Sequence, residues 1–186
     1  MTEPAASHPA GASTRDEWPD LGVLVRHIVD LHHHYVRTEV PAITTGLNRL
    51  VNAHGHAHPE LHQVRQVFAQ LGADLLAHME KEEHILFPYI DELAAAQRRT
   101  GPFPPSPFGT VANPVRMMED EHQDALVLLE NLRTLTNNFA APFDWPRSDA
   151  VTLATLARFG ADLVEHIRLE DTILFPRALD LEERLT

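Results

Sequence analysis

Residues 71–88 read LGADLLAHMEKEEHILFP, and residues 159–176 read FGADLVEHIRLEDTILFP. Ten of these eighteen aligned positions are identical, in one register and without a gap. Both copies contain a His-x-x-x-Glu pair: His78 with Glu82, and His166 with Glu170. Residues four apart lie on the same face of an α-helix, so each pair places an imidazole beside a carboxylate. Such a pair is suited to holding a metal ion, and two pairs brought together predict a site for two ions.

The remainder of the sequence predicts four helices that are separated by joints containing Pro and Gly. The predicted helices span residues 20–51, 59–98, 115–138 and 148–181. Asp20 is the predicted N-cap of the first helix, and Pro41, Pro88 and Pro176 lie inside helices, where they are expected to cause bends. No segment alternates as a strand does. We therefore predict an all-α fold, an up-and-down four-helix bundle built from two pseudo-repeated helical hairpins.

The composition limits the classes of function. The 186 residues include 27 acidic and 15 basic side chains, a net charge of −12, which argues against binding to nucleic acid or to an anionic membrane. The absence of cysteine excludes thiolate ligands and fits a reducing compartment, so we expect a cytoplasmic protein. Residues 1–19 have no apolar signal-peptide region, and no stretch is long and apolar enough to span a membrane. We expect a disordered N-terminal tail there, followed by one domain over residues 20–182.

The two repeated pairs lie on apolar stripes that are expected to face the core. In the second helix this stripe runs through Leu71, Leu75, His78 and Glu82. A charge at such a position is costly to bury without a partner, and a metal ion removes that cost. His122 lies on a similar stripe of the third helix. The polar residues on these stripes therefore need a shared explanation, and metal binding supplies one.

Hairpin geometry indicates which further histidines reach the same height, because an antiparallel hairpin pairs positions that are equidistant from its turn. The midpoint of His122 and His166 falls inside the last predicted joint. The midpoint of His33 and His78 falls inside the first. His32 competes with His33, since apolar stripes run through both, but the separation of 89 residues between His33 and His122 is close to the repeat length and favours His33. The predicted metal ligands are His33, His78, Glu82, His122, His166 and Glu170.

This ligand order, with the two Ile-Leu-Phe-Pro runs and Lys81-Glu82-Glu83, resembles the hemerythrin-like (HHE cation-binding) domain. Over about residues 22–180 the chain is most similar to the di-iron proteins that repair iron–sulfur centres. The resemblance implies a non-haem centre of two Fe ions, bridged by an oxo or hydroxo group. It also implies a reaction with NO, peroxide or O₂, and a role in repairing clusters that such molecules damage. The implied partners are a small diatomic or peroxide ligand and damaged iron–sulfur proteins.

Five further side chains are candidates for an additional ligand or for a hydrogen bond to a ligand: His54, His32, Asp74, Glu121 and Asp162. The two aspartates lie one helical turn before the repeated histidines, and Glu121 adjoins His122. The family pattern includes a histidine that matches His54. Along a continuous helix, however, His54 lies about 31 Å from His33 at 1.5 Å per residue. Both can reach one site only if Pro41 folds the helix back.

Two predictions concern the outside of the bundle. The connection between the two halves, residues 99–114, contains five prolines and two glycines, and we expect it to pack over one end of the bundle. Glu80 and Glu83 are expected to face solvent.

The sequence leaves three classes of function open. The first is a di-iron protein that reacts with oxygen or nitrogen species or supports cluster repair. The second is a reversible carrier or sensor of O₂ or NO, without turnover. The third is a helical interaction module whose metal is structural. Six protein ligands suggest two histidines on each ion, with Glu82 and Glu170 as bridges, which leaves positions open on an octahedral iron. A structural site is normally closed, so the third class is least favoured. Imidazole and carboxylate ligands without thiolate suit iron and also accept Mn or Zn.

Overall fold

The computed structural model describes residues 18–97, 106–143 and 145–186. Within these ranges it contains four helices and no strand, so the predicted all-α four-helix bundle is confirmed. Helix α1 covers residues 21–54, α2 residues 60–97, α3 Ala112–Leu135 and α4 residues 147–185. Most of the predicted N-terminal tail, residues 1–17, lies outside the described residues.

Within the described ranges, three of the four helices contain a π-helical turn, which accommodates one residue more than an α-helical turn. These turns are Ile28–His33 in α1, Glu82–Leu86 in α2 and Glu170–Leu174 in α4. The flanking α-helical parts are Leu21–His27 and His34–His54, Glu60–Lys81 and Phe87–Gln97, and Arg147–Leu169 and Phe175–Leu185. Pro41 lies inside His34–His54, and α1 continues through it without folding back.

The helix ends follow from local chemistry. The Asp20 carboxylate accepts a hydrogen bond of 2.8 Å from the Gly22 backbone N–H, so Asp20 is the N-cap that the sequence predicts. After the C-terminal end of α3, Asn137, Asn138 and Phe139 have φ values of 49°, 60° and 60°. This left-handed backbone cannot continue a right-handed helix, so α3 stops at Leu135 and not at residue 138 as predicted.

The four helices enclose two hydrophobic core halves with a polar layer between them in the described part of the chain. One half joins the start of α1 to the ends of α2 and α4, and includes Leu24, Ile90 and Leu174. The other half lies nearer the two hairpin turns and includes Leu50 and Leu156. Each half buries an apolar stripe from several helices, which is the main force that holds such a bundle together. No helix among the described residues is both long and apolar enough to cross a membrane.

Candidate metal centre

The polar layer contains the six side chains that the sequence predicts as metal ligands, and each is at most 3% exposed. They form two sets of four, whose ligand atoms within each set lie within 4.8 Å of one another. The first set is His33, Glu82, His166 and Glu170, and the second is His78, Glu82, His122 and Glu170. The two glutamates belong to both sets, so the arrangement has the form of a site for two ions with two shared carboxylates.

The helices position these side chains in a regular way. Helices α1 and α3 contribute one histidine each, and α2 and α4 contribute the two His-x-x-x-Glu pairs. His33 is the last residue of one π turn, and Glu82 and Glu170 are the first residues of the other two. In α1 the π turn buries Ile28, His32 and His33. The candidate set contains His33, whereas His32 is also buried but lies beside the cluster, and the assignment of His33 as a ligand stays a prediction.

Acidic side chains hold three of the four imidazoles through their outer nitrogen. The contacts are His33 Nδ1 to Glu83 Oε1 at 2.6 Å, His78 Nδ1 to Glu121 Oε2 at 2.9 Å, and His122 Nδ1 to Asp171 Oδ1 at 2.7 Å. Facing a carboxylate, each Nδ1 carries a proton and donates it, which directs the Nε2 atom of the same ring into the cluster. Histidines that bind metals are commonly oriented by this type of contact.

The inner atoms of the cluster fit a pair of cations. The Nε2 atoms of His33 and His166 are 3.2 Å apart, and those of His78 and His122 are 3.0 Å apart. Two facing imidazole nitrogens at this distance require a proton or a cation between them. Both oxygens of Glu82 and one of Glu170 are buried and make no hydrogen bond to any described residue, although imidazole nitrogens lie about 3.1 to 3.4 Å away. Buried carboxylate oxygens are normally satisfied, and metal ions would satisfy these.

Electrostatic coupling keeps the two carboxylates ionised. Burial raises the pKa of Glu170, but the neighbouring His166 and His122 outweigh it and hold that pKa well below its usual value. Burial lowers the pKa of His122, but the hydrogen bond to Asp171 and the negative charge of Glu170 outweigh burial and raise the pKa to about 10. The pKa of Glu82 is lowered as well, against the effect of burial and of the charge on Glu170, by its histidine neighbours. Ionised carboxylates are the form that binds metal ions.

His166 differs from the other three histidines. Its Nδ1 atom is buried and has no hydrogen-bond partner among the described residues. The His32 ring stacks on it, with ring centroids 5.6 Å apart and planes inclined by 13°. His32 Nδ1 in turn contacts Asp162 Oδ1 at 3.0 Å. Of the additional candidates from the sequence, His32 therefore lies next to His166 of the cluster, and Asp162 contacts His32.

Two of the additional candidates lie away from the cluster. His54 is at the far end of α1, where it contacts Asp149 at 2.9 Å and stacks on Trp145 at 4.4 Å. Since α1 is continuous, His54 cannot reach the site of His33. Asp74 lies on the exposed face of α2 and accepts hydrogen bonds from Gln70, so the expected contact with a ligand imidazole does not form.

Sequence reasoning missed two of the three carboxylates that orient the imidazoles. The sequence predicts that Glu83 faces solvent, but its carboxylate accepts hydrogen bonds from His33, at 2.6 Å, and from Arg37, at 2.8 Å. No sequence prediction covers Asp171. A signal was present, because both copies of the repeat place an acid directly after the shared glutamate. The difference between Glu and Asp conceals this similarity from a count of identical residues.

Only part of the connection between the two halves is described, since residues 98–105 lie outside the described ranges. In the described part, Phe108 packs on the core half that contains Ile90 and meets the Tyr89 ring edge-on at 5.5 Å. Thr110 and the Val111 backbone bind Glu182 of α4. The described end of the connection is therefore attached to the bundle, and the packing of the whole connection over one end of the bundle stays a prediction.

Comparison with known proteins gives a match to the Hemerythrin HHE cation binding domain over residues 24–178. The chain is 33% identical over 159 residues to the iron-sulfur cluster repair protein YtfE of Musicola paradisiaca (strain Ech703), covering 86% of this chain and 66% of that protein. It is 31% identical over 157 residues to a probable iron-sulfur cluster repair protein of Haemophilus influenzae, with 84% and 65% covered. It is 32% identical over 171 residues to YtfE of Dickeya chrysanthemi (strain Ech1591), with 90% and 71% covered. The chain thus spans about two thirds of the length of these relatives.

Proposed function

Because the chain belongs to the family of hemerythrin HHE cation-binding domains, we propose that its buried histidine and glutamate cluster is a di-iron centre that serves the repair of damaged iron–sulfur clusters. The observation that carries this proposal is the sharing of Glu82 and Glu170 by both sets of candidate ligands. In the proposed centre, His33 and His166 would hold one ion, His78 and His122 would hold the other, and Glu82 and Glu170 would serve both.

The donor set supports iron. Imidazole and carboxylate ligands without thiolate suit Fe, and Mn or Zn are chemically acceptable substitutes. When bound, a pair of irons with four protein ligands each supplies redox chemistry and open positions for NO, O₂ or peroxide. The protein's own part is to hold the imidazoles in place through Glu83, Glu121 and Asp171, and to surround the centre with two apolar core halves.

The proposed role in repair is supported by the relatives, two of which are named iron-sulfur cluster repair proteins and one a probable repair protein. The implied partners are a small diatomic or peroxide molecule and a protein with a damaged iron–sulfur cluster. The net charge of −12 disfavours nucleic acid as a partner. Since the alignments span about two thirds of the relatives' length, the proposal concerns the function that the helical bundle itself can perform.

The proposal is tested by loading the protein with iron and measuring iron content, the optical spectrum and activity in repair. We expect two irons per chain, a spectrum that changes with NO or peroxide, and recovery of activity in a [4Fe–4S] enzyme that peroxide has damaged. The His78→Ala variant should lose iron and repair activity. The matched His54→Ala variant should retain both, because His54 lies at the hairpin turn beside Trp145.

Each contrary result has a definite meaning. Fewer than two irons in the unaltered protein would refute the di-iron centre. Two irons with a reversible oxygenated or nitrosylated spectrum, and no recovery of the damaged enzyme, would replace repair by the alternative of a reversible carrier or sensor. Loss of iron in His54→Ala would show that the geometric separation of His54 from the centre is wrong.

A further inference from the structure

The two hairpins are related by the sequence repeat, and one pair of contacts around the cluster obeys this relation. The residue directly after each shared glutamate accepts a hydrogen bond from the histidine of the preceding helix in the same hairpin. Glu83 accepts from His33 at 2.6 Å, and Asp171 accepts from His122 at 2.7 Å. These two imidazoles are therefore oriented in equivalent ways, one in each of the two sets of ligands.

A second pair of contacts breaks the relation. His78 Nδ1 donates to Glu121 at 2.9 Å, and Lys81 also binds this glutamate. His122 of the second hairpin corresponds to His33 of the first, 89 residues earlier. In the same register, the counterpart of Glu121 is His32. An imidazole therefore occupies the place of the carboxylate in the other hairpin.

Among the described residues, His166, the counterpart of His78, therefore lacks a carboxylate on its outer nitrogen. Its buried Nδ1 atom has no hydrogen-bond partner in the described part of the chain. His32 stacks on its ring and does not accept from it, with the ring centroids 5.6 Å apart. His32 also binds Oδ1 of Asp162, the acid one turn before His166, and the other oxygen of Asp162 makes no hydrogen bond to a described residue.

A carboxylate on the outer nitrogen of a metal-binding histidine makes the inner nitrogen a stronger donor and fixes the ring. Loss of such a contact typically lowers metal affinity by about 10- to 100-fold. Both histidines of the set that contains His78 have this support, whereas the set that contains His33 and His166 has it on His33 alone.

We infer that the two ions of the centre are held unequally, and that the ion bound by His33 and His166 is the one released more readily. This inference rests on the proposed function, because it requires two ions. It also deepens that function, since an ion that leaves first is the one available to a damaged cluster, while the ion at His78 and His122 stays bound. The asymmetry is built into the bundle by the single exchange of a carboxylate at Glu121 for an imidazole at His32.

The test follows the release of iron from the protein loaded anaerobically with two Fe²⁺, after addition of excess chromogenic Fe²⁺ chelator. We expect two phases of one ion each, with rates that differ by about tenfold or more. The His32→Glu variant offers a carboxylate to His166 and should slow the fast phase. The Glu121→Gln variant weakens the acceptor of His78 and should speed the slow phase. The control is Asp74→Asn, which removes an exposed carboxylate that binds Gln70, and it should leave both phases unchanged.

The outcomes separate this inference from the proposed function. Uptake of fewer than two ions would refute the di-iron centre and the inference with it. Uptake of two ions that leave in a single phase would refute the inference alone, as would a His32→Glu variant that is folded by circular dichroism and slows only the slow phase. If His32→Glu does not fold, Glu121→Gln decides, since an unchanged slow phase in that variant contradicts the asymmetry.

Discussion

At the scale of single residues, the carboxylates near the cluster have two distinct roles. Glu82 and Glu170 are fully buried and lie between the two sets of histidines. Glu83, Glu121 and Asp171 have side chains that are 21%, 32% and 24% exposed, and they hold imidazoles from outside. Removal of a residue of the first kind is expected to affect both ions, whereas removal of one of the second kind affects the set of ligands that it supports.

The buried position of Glu82 and Glu170 between the two sets of histidines gives a direct prediction. Glu82→Ala or Glu170→Ala should lose at least one of the two irons, because each carboxylate would serve both ions. Iron per chain, measured by elemental analysis on protein shown to be helical by circular dichroism, checks this. The control is Glu80→Ala, since Glu80 is exposed and two residues from Glu82. A Glu82→Ala protein with two irons would argue against bridging.

At the scale of helices, the repeated glycine has a packing role. A Cβ atom on Gly72 of α2 would lie 2.9 Å from Cγ1 of Val40 on α1. A Cβ atom on Gly160 of α4 would lie 2.7 Å from Cδ1 of Leu129 on α3. In both hairpins, therefore, the glycine lets a side chain of the preceding helix approach the backbone closely. The same residue recurs in both copies of the repeat because both hairpins close in the same way.

The two glycines differ in how well their neighbours can adjust. Val40 is β-branched and stiff at χ1, so Gly72→Ala should lower the free energy of unfolding by about 1 to 3 kcal/mol through overpacking. Leu129 meets Gly160 with the end of a flexible, partly buried side chain, and alanine favours a helix by about 1 kcal/mol over glycine. Gly160→Ala should therefore change stability little. Urea denaturation of both variants checks the difference, and an equal loss in both would contradict it.

At the scale of the whole molecule, the Glu182 side chain joins α4 to α2 and to the connection between the two hairpins. These contacts lie at the end of the bundle away from the hairpin turns. Its carboxylate accepts from Tyr89 of α2 at 2.5 Å, from the Thr110 hydroxyl at 2.7 Å and from the Val111 backbone N–H at 2.9 Å. Glu182 itself is on α4 and only 7% exposed. Burial raises the pKa of this carboxyl, but the hydrogen bonds, first that from Tyr89, outweigh burial and lower it below its usual value.

This contact predicts a dependence of stability on pH. A carboxyl whose pKa is lower in the folded than in the unfolded protein stabilises the fold above the unfolded value of 4.5, and loses this effect as the pH falls through the folded value. At pH 7, Glu182→Gln should lower the free energy of unfolding by about 1 to 3 kcal/mol, the range for hydrogen bonds to charged groups. The difference from the unaltered protein should shrink below about pH 4.5. Thermal melts from pH 3 to 8 check this, with the exposed Glu183→Gln as control, and a difference that is constant with pH would contradict it.

Much of the fold could be predicted from the sequence because its determinants are local. Helical periodicity, the Asp20 cap and the joints with Pro and Gly act within a few residues, and they predict the helices that the structure contains. The repeat adds the relation between the hairpins. Because His-x-x-x-Glu lies within one helical turn, it places an imidazole beside a carboxylate before any tertiary contact forms.

The contacts that orient the cluster were decided by the tertiary structure. Glu83, Glu121 and Asp171 bind histidines that are 50, 43 and 49 residues away, so their contacts depend on the rotation of one helix against another. The π turn at Ile28–His33, which buries both His32 and His33, is likewise a feature of the folded helix, whereas the repeat spacing in the sequence already favours His33. A pattern of 3.6 residues per turn contains no sign of such a turn. Local sequence thus determined which residues can act as ligands, and the packing of the helices decided which nitrogen faces inward and which carboxylate supports it.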